Sequence, residues 1–207
     1  MAANPPASGE RAGLRERKKA ATRQALSAAA LRLALERGLD NVLVEDIAAE
    51  VNVSTRTFNN YFTSKYAAVC SMGLDRAQRI GDALRSRPAA EPLWDAITEA
   101  VLEHYEGMDV APDKEAVDAL LLVMTSPQIQ GEYLKVTAAM QLVLAEAIAD
   151  RAGIDIEHDM LPQILAGAVT ATSQVALRRW LAAEPLVPLR PLIERAMRQL
   201  GSACAGT

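Results

Sequence analysis

Cysteine is almost absent from this chain of 207 residues: Cys70 and Cys204 are the only two. They share no CxxC or Cys/His spacing, so neither a disulfide framework nor a zinc site is written into the sequence, and two reduced thiols are expected. Aromatic residues make up only 4% of the chain, and β-branched residues are few beside alanine and leucine, which argues against a β architecture. No apolar run reaches the roughly 18 residues of a membrane span. The nearest, 160–177, is interrupted by Gln163, Thr170, Thr172, Ser173 and Gln174. Residues 1–10 lack a charged region followed by an apolar one, so no signal peptide is visible and a cytoplasmic protein is expected. His104 and His158 stand alone without an ExxH pair, and no P-loop, GxGxxG, GxSxG or HExxH occurs. The expectation is therefore no enzyme, no metal and no cofactor.

What is present is a helical composition. Half of the residues are hydrophobic, mostly Ala and Leu, and the length allows one large or two small domains with a real core. The net charge of −4 conceals an asymmetry. Up to Arg87 the chain carries 14 Lys+Arg against 9 Asp+Glu; from Pro88 on it carries 8 against 17. A basic N-terminal part suits a polyanion, and an acidic C-terminal part repels one.

Residues 1–12 are expected to be a disordered leader. From Arg11 the sequence turns basic (Arg11, Arg15, Arg17, Lys18, Lys19, Arg23) and leads into a helix over about 13–37, with Leu26, Ala29, Ala30 and Leu33 on one face. Gly38 is its stop, in the manner of a left-handed C-cap. Two short helices, 44–51 and 54–61, are separated by Asn52 and Val53, with Ser54 as N-cap of the second. Longer helices are expected at 64–86, 91–107, 113–125, 128–152, 158–183 and 188–201, punctuated by Pro88, Pro112, Pro127, Gly153, Pro185 and Pro188. No period-two stretch long enough for a strand occurs.

The stretch 45–62, EDIAAEVNVSTRTFNNYF, carries the functional signal. Ala48 is small where two short helices cross. Asn52 sits at the turn, where positive φ favours Gly first and Asn next. Ile47, Val51, Val53, Phe58 and Tyr61 fall at positions that close a small core. This is helix-turn-helix spacing, with the second helix free for a major groove. Arg56, between two threonines, suits guanine recognition; a surface ion pair to Glu45 or Glu50 is its bland alternative. Tyr61 and Phe62 read mainly as core.

The string 53–62 followed by Ser64 and Lys65, with 44–48, Gly38 and Thr22-Arg23 upstream, resembles the TetR family of bacterial transcriptional regulators over about residues 14–70. The resemblance implies an all-α chain of about nine helices: a three-helix helix-turn-helix domain over 13–66, and a ligand-binding and dimerisation domain over 67–207. It implies a homodimer that binds a palindromic double-stranded DNA operator and is released from it by a small hydrophobic effector, with no membrane partner. Thr55, Arg56 and Asn60 would face the groove, and Ser54 would join them among the DNA-binding residues. Thr57, Asn59, Tyr61 and Lys65 would meet phosphates, and Arg17, Lys18 and Arg23 would hold the flanking backbone. Three positions depart from the family's usual pattern: Asn59 in place of Tyr, Leu43 in place of a capping Thr, and Tyr66 in place of Glu.

Farther along, 120–200 is similar to the subgroup of the mycofactocin-system regulator, which implies an elongated apolar pocket for an acyl-type ligand. Trp94, Ile97, Val101, Tyr105, Leu121, Met124, Met140 and Leu144 are the candidate pocket residues, with ordinary core as their alternative. Leu161, Ile164, Leu165, Ala168 and Val169 on one helix, with Leu192, Ala196 and Leu200 on the next, are the candidate dimer interface, a two-fold four-helix bundle. The other functional reading is a helix-turn-helix regulator without a small-molecule ligand, controlled by a protein partner.

Overall fold

In the computed structural model, helix α1 (Ser8–Arg37) begins five residues before the expected start at residue 13. The sequence explains the difference: after Pro6 nothing stops a helix before Gly38, because Gly9 and Gly13 weaken one by roughly 1 kcal/mol each without ending it. The structure describes the backbone of residues 8–111 and 113–205, with side chains except at 8–14, 16, 115, 116, 119, 122, 123, 204 and 205; of the leader expected over 1–12, residues 1–7 lie outside it and 8–12 are the start of α1. After α1 come a 3₁₀ turn (Leu39–Asn41), α2 (Val44–Glu50), α3 (Thr55–Asn59), α4 (Lys65–Ser86), α5 (Leu93–His104), α6 (Lys114–Met124), α7 (Pro127–Ala152), α8 (Leu161–Leu181) and α9 (Leu189–Ala205). The described residues contain no strand, and no helix among them is long and apolar enough to cross a membrane.

The chain forms two units that meet inside α4, the first ending at Met72 and the second starting at Gly73. In the first, Leu26, Leu33, Val42, Ile47, Phe58 and Phe62 make the core, with the Phe58 and Phe62 rings 5.6 Å apart. Phe62 is buried whereas Tyr61, Val51 and Val53 remain half-exposed, so the C-terminal anchor of the small core is Phe62. Gly38 has φ 78° and ψ 139°, not a left-handed helical cap: its N–H donates to the Ala34 carbonyl (3.0 Å) and its own carbonyl accepts from Asn41 (3.1 Å) as the 3₁₀ turn opens. Leu43 offers α2 no capping oxygen; only Asp46 reaches back, accepting from the Leu43 N–H at 3.0 Å.

Asn52 has φ 56°, the one non-glycine residue with positive φ among those described, and the Val53 N–H next to it donates to the Ala48 carbonyl (2.9 Å). The turn thus uses the residue the spacing asked for. Asn52→Gly should leave stability within a few tenths of a kcal/mol, while Asn52→Val should cost about 1–2 kcal/mol because a β-branched side chain opposes this conformation. Urea unfolding of the two variants side by side measures it, and equal midpoints would remove the conformational argument.

In the second unit, α7 and α8 pack along each other, α9 packs on α8 and α5, and α6 touches α7 and α8. The core gathers Ile80, Leu84, Ile97, Val101, Leu144, Ile148, Val169, Ile193 and Met197. Ser126 caps α7 by accepting from the Ile129 N–H, Pro127 fills its first turn, and Gly153 ends it in left-handed conformation (φ 66°). Gly73 and Gly81 let α4 approach α7: a methyl group at either would lie 3.0 Å from Met140 Sδ or 3.2 Å from Ala147 Cβ, respectively. Arg151 closes the far end by donating to the carbonyls of Arg87, Pro88 and Glu91 at 2.8–3.1 Å.

Candidate nucleic-acid interface and ligand cavity

Helix α3 is one and a half turns long, and its register decides its use. At about 100° per residue, Thr55, Arg56, Asn59 and Asn60 share an arc of about 140°, and Phe58 points away into the core. Phe58 is fully buried, whereas Arg56, Asn59 and Asn60 are exposed and Thr55 half-buried. Ser54 spends its hydroxyl within the helix: Oγ accepts from the Thr57 N–H (3.1 Å) and lies 2.9 Å from Thr57 Oγ1. Ser54 and Thr57 therefore fix the start of α3, which leaves the open polar surface to their neighbours. Among the described residues, Thr55, Arg56, Asn59, Asn60 and Tyr61 make no side-chain hydrogen bond or ion pair.

The two carboxylates that offered Arg56 a bland partner do not take it. Glu50 is paired with Arg32 at 2.6 Å, and Arg32 also holds Glu36 at 2.6 Å. Those bonds, the one to Glu36 foremost, hold the Arg32 guanidinium above its ordinary range. Glu45 is exposed and pairs with nothing among the described residues. Arg56 is thus an uncompensated cation on an exposed helix face.

Around α3, Lys18 is exposed and Arg23 lies half-buried with its guanidinium 4.8 Å from the Phe62 ring centroid. Arg17 is exposed on the same helix. Lys65 differs from a simple phosphate ligand: its ammonium donates to the carbonyls of Val42 (2.8 Å) and Asp40 (3.3 Å), tying the start of α4 to the segment before α2. A buried hydroxyl pair reinforces that seam, Ser27 Oγ donating to the Ala68 carbonyl (2.8 Å) and lying 2.9 Å from Ser71 Oγ.

The second unit holds a partly open cavity of about 50 Å³ between α4, α7 and α8, with Tyr105 just past α5. Ile80, Met140, Leu144, Val169 and Leu177 give it apolar walls; Arg76, Tyr133, Thr170, Ser173 and Gln174 add polar groups. Of the sequence candidates, Tyr105, Met140 and Leu144 line it. Ile97 and Val101 are ordinary core, and Trp94 lies so close over Gly201 that any side chain at 201 would collide with the indole. Leu121 is 40% exposed, Met124 is half-buried, and neither reaches the cavity. The residues that sequence reasoning missed, Arg76, Ala77 and Ile80 on α4 and 170–177 on α8, had one visible signal. Thr170, Ser173 and Gln174 interrupt an apolar helix at spacings that keep them on its inward face.

His104, half-buried on α5, is pushed down to about 4 by its burial first and then by the charges of Arg76 and Arg79. It is therefore neutral near pH 7. No group of three metal-ligating residues occurs among those described.

On α8 the apolar candidates divide. Val169 is buried and lines the cavity, and Leu165, Leu192 and Ala196 pack on the core of their own unit. Leu200 is half-buried. The outward stripe runs through Leu161 (40% exposed), Ile164 (59%), Ala168, Ala171 and Val175 (44%). Ile164 and Val169 are five residues apart, about 140° around the helix, so they cannot serve the same surface.

Comparison with known proteins agrees with this layout. Residues 26–68 match the family of bacterial regulatory proteins called tetR, and residues 91–205 match the MftR C-terminal domain. The chain is 33% identical over 177 residues to the HTH-type transcriptional regulator TcmR of Streptomyces glaucescens, covering 81% of this chain and 76% of that protein. It is 26% identical to the mycofactocin biosynthesis regulator MftR of Mycobacterium tuberculosis, covering 81% and 84%. Its fold resembles that of FadR from Thermus thermophilus, a transcriptional repressor solved with lauroyl-CoA, with TM-score 0.57, 20% identity and coverage of 86% and 92%.

Proposed function

The chain belongs to the TetR family of bacterial transcriptional regulators, and from that premise we propose that it is a homodimeric, ligand-released repressor. Members of this family are regulators, not enzymes, so its output is occupancy of DNA. The observation that carries the reading is the exposed, unpaired Arg56 amid the uncommitted Thr55, Asn59 and Asn60 on α3. A guanidinium in that setting presents its bidentate edge to guanine O6 and N7, and the amides beside it suit adenine. Arg17, Lys18 and Arg23 supply the basic flank for phosphates.

A palindrome requires two copies of α3 about one helical turn of DNA apart. The outward stripe of α8 is the surface we assign to the partner protomer, because an isologous interface needs an apolar face that meets itself across a two-fold axis. The regulator then operates in the cytoplasm, where the DNA is.

The effector is an acyl-type or similarly hydrophobic small molecule that enters between α4, α7 and α8. Ligand pockets run to roughly 300–1,000 Å³, so the 50 Å³ cavity is a contracted form that an occupant must open. Met140 is the side chain suited to yield, being unbranched and packed with its sulfur against Gly73. Because α4 belongs to both units, an occupant that prefers the opened form shifts the protein away from DNA by that preference and no more. The small cavity also favours a second reading, a regulator without a small-molecule ligand, controlled by a protein partner.

One titration separates the two. Lauroyl-CoA and a series of apolar compounds are added to the protein bound to its operator, and release is followed by fluorescence anisotropy. Release at micromolar concentrations by at least one compound is expected; DNA occupancy unchanged by all of them would favour the protein partner.

A further inference from the structure

We infer that the cavity of the second unit recognises a carboxylate: the effector is an organic acid whose anionic head pairs with Arg76. The inference rests on the effector reading above and makes it chemically specific. Arg76 lines the cavity together with the side chains of α7 and α8. Its Nη1 donates to the Tyr105 hydroxyl at 3.3 Å, and its guanidinium carbon lies 5.4 Å from the centroid of that ring. Its Nε is buried and has no hydrogen-bond partner. Among the described residues no carboxylate pairs with it.

Arg76 is half-buried, and its buried Nε–H without an acceptor is costly. With Nη1 turned to Tyr105, the remaining edge of the fork is Nε with Nη2, two parallel N–H groups that match the two oxygens of a carboxylate. The apolar walls of Ile80, Met140, Leu144, Val169 and Leu177 then take the body of the acid. An alcohol or ester of the same body would fill those walls and leave the Nε–Nη2 edge without its charge.

The test compares dodecanoate with 1-dodecanol, two probes with the same chain and different heads, by calorimetric titration of the full-length protein. Dodecanoate should bind at least tenfold tighter than the alcohol. In Arg76→Gln the preference should fall to within about threefold, with the alcohol's affinity little changed and the thermal melt recording whether the variant folds. The comparison on the unaltered protein stands without the variant. Equal affinity for acid and alcohol, or a preference that survives in folded Arg76→Gln, overturns the carboxylate assignment alone. Binding of neither probe overturns it together with the acyl-type effector on which it rests.

Discussion

Replacing Ile164 with glutamate should turn the proposed dimer into monomers and lower operator affinity by at least two orders of magnitude. Ile164 is 59% exposed, the most open of the described large apolar residues on α8, and sits between Leu161 and Ala168 on the outward stripe. In a two-fold interface every substitution is made twice, so the variant sets two carboxylates on facing helices without partners. Burying even one unpaired charge costs several kcal/mol. Operator binding falls with the dimer because two linked half-site contacts gain about 10²–10⁴ from linkage alone. Sedimentation reads the assembly and anisotropy the affinity. A variant that stays dimeric would place the interface elsewhere, and the exposed Leu134 and Leu142 on α7 would be the next surface to change.

Arg56→Ala should weaken binding to the cognate operator by about 1–3 kcal/mol, roughly 5- to 150-fold, and relax base choice at one position of each half-site. Glu50 is held by Arg32, Glu45 stays apart, and no other described side chain bonds Arg56. Removing it therefore breaks nothing within the protein, so stability should change by less than about 0.5 kcal/mol. Affinities for single-base variants of the operator, measured for wild type and Arg56→Ala, distinguish base reading from phosphate contact. If the variant loses the same factor on every sequence, Arg56 holds the backbone and reads no base.

How much of this was legible in the sequence varies along the chain, for physical reasons. The helix-turn-helix was readable because short-range rules are strict there. A tight turn selects Asn52, a helix crossing selects Ala48, and a cap selects Ser54; each is met within a few residues of the others. The long helices were readable from Pro127, Gly153 and their neighbours, which end or start helices whatever surrounds them.

The interior of the second unit was less readable because apolar periodicity says that a residue is buried but not against what. Ile97 and Val101 read like Tyr105, yet two of them are core and one lines the cavity. Val169 and Ile164 read alike as apolar residues of one helix, and only the packing of α8 on α7 and α9 turns one inward and the other out. Arg76 gave no local signal at all: a lone arginine in a helix reads as a solvated charge until the fold buries its Nε. Lys65 shows the reverse limit. The motif marks it as a contact to DNA, while the structure commits two of its donors to the carbonyls of Asp40 and Val42.

The central claim is that this protein reads a palindromic DNA site as a pair of copies. Its most direct test is a titration of the full-length protein onto a labelled palindrome taken from upstream of its own coding region and onto a scrambled duplex, at about 50 and 200 mM salt, the range over which phosphate contacts are lost. The account predicts two protomers per palindrome, affinity at least 10³-fold above that for scrambled DNA, and a steep decline with salt. Equal affinity for the two duplexes, or one protomer per palindrome, would contradict it.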